Sequence, residues 1–270
     1  HVTVGLFGRQ VDFLKKEMNV LPLEELAATL FRGGEIPPRS VALTFDDEYD
    51  DIHRHAFPIL KARGLPATVF IATGFVDTDR VPWTDELGFL FGKTEKKEIE
   101  FDGRVSLEGV ENRLRALRRV KAALKALGEE DRRARFEDLR KQLAVAAPNP
   151  VRVLGRRAIR EMAEARISFG AHTVNHPILT RIPAEEAHRE IADSKRMIEE
   201  ISGRRAAGFC YPNGEEGDFS PEIEQMVRAA GFAYACSTVE GVNRPGGDVY
   251  ALRRLWTSGE SLPLFAARIL

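Results

Sequence analysis

Two short stretches hold the residue types from which a hydrolytic site can be built. In "LTFDD", residues 43–47, an apolar run ends on two adjacent carboxylates, Asp46 and Asp47, and a third acid, Glu48, comes next. Ionised carboxylates side by side repel each other and resist leaving water, so a cation, a shared proton or solvent must offset the cost. In "GAHTVNHP", residues 170–177, His172 and His176 stand four apart. On one helical turn that spacing lets two imidazoles meet one cation. Paired histidines also cap helices or satisfy core hydrogen bonds, so neither stretch is decisive alone. Each, however, follows a strand-like apolar run, and in a parallel α/β fold catalytic residues gather at the C-terminal ends of strands. One carboxylate and two neutral imidazoles give three protein ligands with one position open, the stoichiometry of a hydrolytic zinc site. The other carboxylate, held beside a water, can then act as general base.

A third stretch, "FCYPNGEEGDFS" (209–220), turns on Pro212-Asn213-Gly214. Such a turn can bring backbone N–H groups into a cleft, where they stabilise a developing oxyanion. The alternative is an ordinary loop at a strand end.

The elements that must position these residues alternate between β and α. "SVALTF" (40–45), "PATVFIA" (66–72), "RISFGAH" (166–172), "AAGFCYP" (206–212) and "FAYACS" (232–237) have the character of strands. The second is the continuous apolar kind that is covered on both faces. Helical spacing marks 50–64, with Gly64 at its end, and also 155–165 and 183–203. Ser220 and Pro221 open a further helix that Gly231 closes. Strand, helix and strand in series imply parallel pairing with helices outside. For this length a closed or nearly closed barrel fits better than an open sheet. The opening "HVTVGLF" reads as a first barrel strand cut short.

From about residue 84 to 150 the pattern changes. "KKEIEFDGRVSLEG" (96–109) alternates around an Asp102-Gly103 turn, and two charged helices follow at 111–128 and 129–144. "APNP" (147–150) punctuates the return to the βα series. The reading is one domain, 1–270, with a charged, mainly helical insertion whose charge is a solvated face.

Composition bounds the rest. The chain has 270 residues, 43% hydrophobic and 30% charged, with a net charge of −1. That balance suits a globular protein and speaks against a general nucleic-acid binder. No apolar run approaches the roughly 20 residues of a membrane-spanning helix. Cys210 and Cys236 are the only cysteines and read as two free, partly buried thiols. The chain starts at His1 without an apolar leader. It therefore reads as processed or trimmed, with compartment and oligomeric state left open.

Together, "TFDD" (44–47), "HTVNH" (172–176) and "YPNG" (211–214), in this order, resemble the motifs of the polysaccharide deacetylases, the NodB-homology proteins of carbohydrate esterase family 4. The flanking stretches 55–75 and 176–204 resemble that family too, and the similarity runs from about Val41 to Trp256 outside the insertion. The resemblance implies an α/β fold, a distorted (β/α) barrel. It implies that Asp46 is the catalytic base and that Asp47, His172 and His176 bind a divalent metal, Zn²⁺ first, with Co²⁺, Ni²⁺ or Mn²⁺ as alternatives. Asn213 would offer its backbone N–H to the oxyanion. The implied reaction removes acetyl groups from an N-acetylated polysaccharide or oligosaccharide. Tyr211, Pro212 and Trp256 are the candidate substrate contacts, and Trp83 is a further aromatic candidate.

Three positions depart from the family pattern. Glu48 stands where members usually carry Gly, and either crowds the site or points into solvent. Cys210 stands where many carry the Arg that orients the base; Arg253 and Arg254 are candidates to supply the missing charge. A late Leu-x-His motif is not found. These departures keep two alternatives open, hydrolysis of a small non-sugar amide and a metal-retaining, non-catalytic glycan-binding domain.

Overall fold

The structure, a computed structural model, describes residues 2–146, 151–257 and 259–270. Its first element corrects the sequence reading. Val4 to Phe7, within the run expected to be a truncated strand, open a helix, α1 (Val4–Glu17), with Leu6, Gln10, Val11 and Leu14 buried. The Thr3 hydroxyl caps it by accepting from the N–H of Leu6. Alternation in "HVTV" is too short to compete with a 14-residue amphipathic pattern that ends in Lys15 and Lys16, which suit a helix C-terminus.

There follow β1 (Asn19–Val20), α2 (Leu23–Phe31), β2 (Ser40–Val41), β3 (Thr44–Asp46), α3 (Phe57–Arg63) and β4 (Ala67–Ile71). The run read as one strand over 40–45 is two: β2 pairs with β1, and β3 joins the main sheet. A π-helical segment, Ile52–Ala56, leads into α3, and Gly64 closes it at φ 67. Next come α4 (Trp83–Lys93), β5 (Glu98–Glu100), β6 (Arg104–Ser106), α5 (Gly109–Ala126) and α6 (Glu129–Leu143). The chain ends with α7 (Arg156–Ala163), β7 (Ile167–Ala171), α8 (Ala184–Ser202), β8 (Gly208–Cys210), α9 (Pro221–Ala229), β9 (Tyr234–Glu240), β10 (Leu252–Arg254) and α10 (Leu262–Ile269).

These elements form two compact units, His1–Asp79 with Val153–Leu270, and Arg80–Arg152. The second contains the charged stretch and has its own core, which includes Leu87, Phe91, Ile99, Val105, Val120 and Leu139. Within it β5 and β6 pair antiparallel across the Asp102-Gly103 turn. Trp83 packs edge-on to Phe136 and under the Arg132 guanidinium of the same unit. The "APNP" stretch, 147–150, lies outside the described residues.

In the first unit six strands form a parallel sheet in the order β10-β9-β8-β7-β4-β3. Successive strands of this sheet lie side by side, and α3, α8 and α9 supply helical crossovers between them. Val69, Phe70 and Ile71 of β4 are fully buried, as its continuous apolar run requires. The sheet curls. Its edge strands β3 and β10 share no backbone ladder, yet Arg254 of β10 lies 2.7 Å from Asp46 of β3. The result is a distorted, incompletely closed (β/α) barrel, with side chains bridging the gap. Parallel pairing puts the C-terminal ends of β3, β4, β7, β8 and β10 along one rim.

Close strand packing supports that rim. A Cβ at Gly170 of β7 would lie 2.5 Å from the Phe70 ring and 2.7 Å from the Gly208 carbonyl oxygen. Gly170→Ala is therefore expected to destabilise the protein by about 1–3 kcal/mol through overpacking. Urea unfolding measures this, and an unchanged midpoint would show that Phe70 yields at no cost.

Candidate active site

β3 ends at Asp46, and the backbone reverses at Asp47, where φ is 68. β7 ends at Ala171, and His172 follows. The two histidines do not meet on a helical turn, as their spacing suggested. They meet because the loop between them doubles back, with φ 66 at Thr173 and φ 58 at His176. The Thr173 hydroxyl accepts the His176 N–H at 2.9 Å and donates to the His172 carbonyl. From the rim beyond β4, the N–H groups of Thr73 and Gly74 donate to the carbonyls of Thr173 and Val174, at 3.1 and 2.8 Å. Asn213 also has positive φ, 63, so four non-glycine residues of this region occupy left-handed backbone. Asp and Asn tolerate that conformation; a β-branched Thr does so only under constraint. Each such residue costs on the order of 1–3 kcal/mol and persists where its surroundings over-determine it.

The Nε2 atoms of His172 and His176 are 3.1 Å apart. Asp47 Oδ1 lies 3.8 Å from the first and 3.5 Å from the second. His172 Nδ1 is 2.6 Å from the Cys210 carbonyl oxygen, which can only accept, so Nδ1 carries the proton and Nε2 keeps its lone pair. Burial first, and then His176, lowers the His172 pKa to about 4, so the ring is neutral at pH 7. One carboxylate and two imidazoles thus converge with their donor atoms within 4.8 Å of one another. This donor set suits a divalent cation, and a carbonyl orienting the far side of a ligating imidazole is the usual support for one.

Asp46, the last residue of β3, points to a different partner, because the chain leaves the strand and reverses at Asp47. Arg254 holds its carboxylate in a two-pronged contact, Nη1 to Oδ1 and Nη2 to Oδ2, each 2.7 Å. Of the two arginine candidates it is Arg254 that supplies the charge. It shares a strand face with buried Leu252, whereas Arg253 is exposed. Burial opposes ionisation of Asp46, but the Arg254 charge and hydrogen bonds outweigh it and hold the pKa at about 2. The Cys210 thiol donates to Asp46 Oδ1 at 3.6 Å and accepts from Arg254 at 3.2 Å. Burial pushes that thiol's pKa up. Asp46, His172 and Cys210 form a second convergent trio, but a protonated thiol and an arginine-bound carboxylate make a poorer cation site.

Several expectations need correction. Tyr211 is fully buried, with its hydroxyl donating to the Tyr250 carbonyl at 2.8 Å and its ring stacked on Phe219. Pro212 is buried as well. Neither offers a surface to a substrate. Trp256 is 49% exposed, its indole N–H donates to the Thr238 carbonyl, and its ring lies 5.8 Å from the Arg254 guanidinium. Asn213 is half-buried, and its amide bonds to Asp218. Glu48 neither joins the converging donors nor reaches solvent. It is buried, and its Oε2 accepts the Ala72 N–H at 2.9 Å, which fixes the chain just past β4. Cys210 and Cys236 are free but fully rather than partly buried. Sequence reasoning missed Glu190, a carboxylate in the buried stripe of α8. The signal was available, since an acid at an apolar helical position needs a partner.

A family model described as polysaccharide deacetylase matches residues 33–235. YxkH of Bacillus subtilis (strain 168) is 22% identical over 232 residues, which cover 86% of this chain and 56% of that protein. The poly-beta-1,6-N-acetyl-D-glucosamine N-deacetylase of Staphylococcus aureus (strain MSSA476) is 35% identical over 99 residues, 36% of this chain and 32% of that protein. The matches thus span about half and about a third of the lengths of these curated relatives. Among solved structures, the Streptococcus pyogenes deacetylase PplD in complex with acetate has a TM-score of 0.65 at 20% identity, covering 99% of this chain and 87% of that one. At that identity the likeness is one of fold.

Proposed function

Because the chain belongs to the polysaccharide deacetylase family, we propose that it is a metal-dependent hydrolase that removes acetyl groups from an N-acetylated glucosamine polymer or oligomer. One observation carries the reading: Asp47, His172 and His176 converge beside a second carboxylate, Asp46, which Arg254 keeps ionised. The S. aureus relative, named for a poly-β-1,6-N-acetylglucosamine substrate, favours a polymer of that class.

Asp47, His172 and His176 would hold the ion, zinc first and Co²⁺, Ni²⁺ or Mn²⁺ as alternatives. When bound, it would supply Lewis acidity toward the acetyl carbonyl and make water more acidic. Asp46 accepts the proton of the attacking water. The arginine fork leaves it anionic and fixes its plane; Oδ1 also accepts from the Cys210 thiol, so Oδ2 is the oxygen that retains a further lone pair for the water's proton. The Asn213 N–H donates to the oxyanion that develops on the acetyl oxygen. The exposed Trp256 ring offers an apolar face on which a sugar ring can lie.

The deciding experiment is acetate release from N-acetylglucosamine oligomers, with and without chelator. Release that stops with chelator and returns with zinc is expected. Release indifferent to chelator would sink the metal-dependent reading, and oligomer binding without turnover at saturating metal would make the chain a binding domain. His176→Ala is expected to lower bound zinc by at least about tenfold, since one of three protein ligands goes. Full zinc occupancy in that variant, by elemental analysis, would refute the ligand assignment.

A further inference from the structure

The loop that returns His176 to the site is held from behind by a carboxylate. Glu190 of α8 is 7% exposed and lies in the buried stripe with Ala187, Ile191, Ser194 and Ile198. Its Oε2 accepts the N–H groups of both Val174 and Asn175, each at 2.8 Å. Its Oε1 accepts from the Asn175 side-chain amide at 2.7 Å. Two successive backbone N–H groups aimed at one oxygen form an anion nest, filled here by the protein's own side chain. Such bonds make a buried carboxylate tolerable and are stronger than neutral ones.

The position of these bonds gives them a functional consequence. Val174 and Asn175 are the two residues between Thr173 and His176, both of which have positive φ. On the other side of the loop the Gly74 N–H holds the Val174 carbonyl at 2.8 Å. A Cβ at Gly74 would come within 2.7 Å of that oxygen, so the packing there leaves no slack. The turn is therefore pinned between the chain after β4 and a charged group on α8. Glu190 itself is not among the donors that converge with Asp47.

We propose that Glu190 is a positioning residue for the metal centre: its carboxylate fixes the 173–176 turn, brings the His176 imidazole to Asp47 and His172, and so sets metal affinity without touching the ion. This rests on the Asp47–His172–His176 reading above.

The test compares zinc dissociation constants of the parent, Glu190→Gln, Glu190→Asp and His176→Ala, by competition with a chromophoric chelator. Glu185→Gln, on the exposed face of α8, is the control. The amide retains the shape of Glu190 but loses its charge and one of its two acceptor oxygens, so it cannot accept from all three donors, and the shorter Asp withdraws the charge. Both are expected to weaken zinc binding by about 10- to 100-fold, as loss of an outer support does, while the control matches the parent. At saturating zinc, kcat of Glu190→Gln should return to within a few-fold of the parent, because its reacting groups are intact. A parent-like zinc affinity in Glu190→Gln overturns the proposal and leaves the metal centre standing. Equal zinc binding by the parent and His176→Ala overturns the metal centre and the proposal with it. If unfolding in chelator shows that neither Glu190 variant folds, Asn175→Ala replaces them, because it removes the Oε1 bond at a half-buried position and keeps both backbone N–H groups on Oε2. A several-fold loss of zinc affinity there supports the proposal, and parent-like affinity overturns it.

Discussion

Asp46→Asn is expected to retain its zinc and to lose about 100- to 10,000-fold in kcat, the usual contribution of a general base. The substitution keeps the size of the side chain and removes its ability to take a proton. Asp47, His172 and His176 are untouched, so the ligand set survives. The backbone reversal at Asp47 gives the two adjacent acids separate environments. Asp47 Oδ1 lies 3.5 Å from His176 Nε2, whereas both oxygens of Asp46 face the Arg254 guanidinium. Acetate release and zinc stoichiometry, measured on one preparation, separate the two roles. Activity within a few-fold of the parent would remove Asp46 from the chemistry. Loss of zinc together with activity would make it a ligand.

How much of this site was legible in the residues differs from group to group. The histidine pair stood out by spacing, but the physical reason differed. A strained loop joins the two residues, and its left-handed φ values at Thr173 and His176 follow from contacts with Gly74 and Glu190, not from local propensity. The βα alternation was legible because each strand carries its own apolar run, and Gly64 and Gly203 mark helix ends at φ 67 and 68. The closing of the sheet was not, since it depends on Arg254 meeting a residue 208 positions away. Strand alternation at Leu252, Arg253 and Arg254 could have chosen the inward arginine, had β10 been recognised as a strand. Tyr211 was misread because an aromatic at a strand end suits a cleft and a core equally. Only the packing of Phe219 and the Tyr250 carbonyl decides for the core. Glu48 was misread and Glu190 was missed for a related reason. The apolar helical position of Glu190 shows that it needs a partner, but the partners of both acids are backbone N–H groups of other segments, 24 and 15 to 16 residues away, which no local pattern names.

The largest effect on stability is expected from Arg254→Met. The Arg254 and Asp46 side chains keep only 14% and 18% of their surface exposed. Removing one partner of such a pair leaves the other charge uncompensated, at a cost of about 3–5 kcal/mol, toward the lower end because some solvent remains. Asp46→Asn in the Arg254→Met background should cost less than the sum of the single changes, because no charge is then left stranded. The dependence on pH follows from the Asp46 carboxyl. Its folded pKa, about 2, lies below the ordinary 3.8, so the ion pair stabilises the fold above about pH 4 and that contribution fades as pH falls toward 2. The stability gap between parent and Arg254→Met should be full at pH 7, should begin to narrow above about pH 4 as the stranded Asp46 of the variant takes up a proton, and should go on narrowing toward pH 2 as the parent loses its ion pair. Without the guanidinium, burial is opposed only by His172 and the Cys210 thiol and raises the Asp46 pKa, so the acidic limb of kcat/KM should move to higher pH. Urea unfolding of the parent, both single variants and the double variant, at pH 7 and again near pH 3, measures the coupling. Strictly additive losses at pH 7 would mean that the Arg254 contact does not hold the base, and that the curled sheet closes on packing alone.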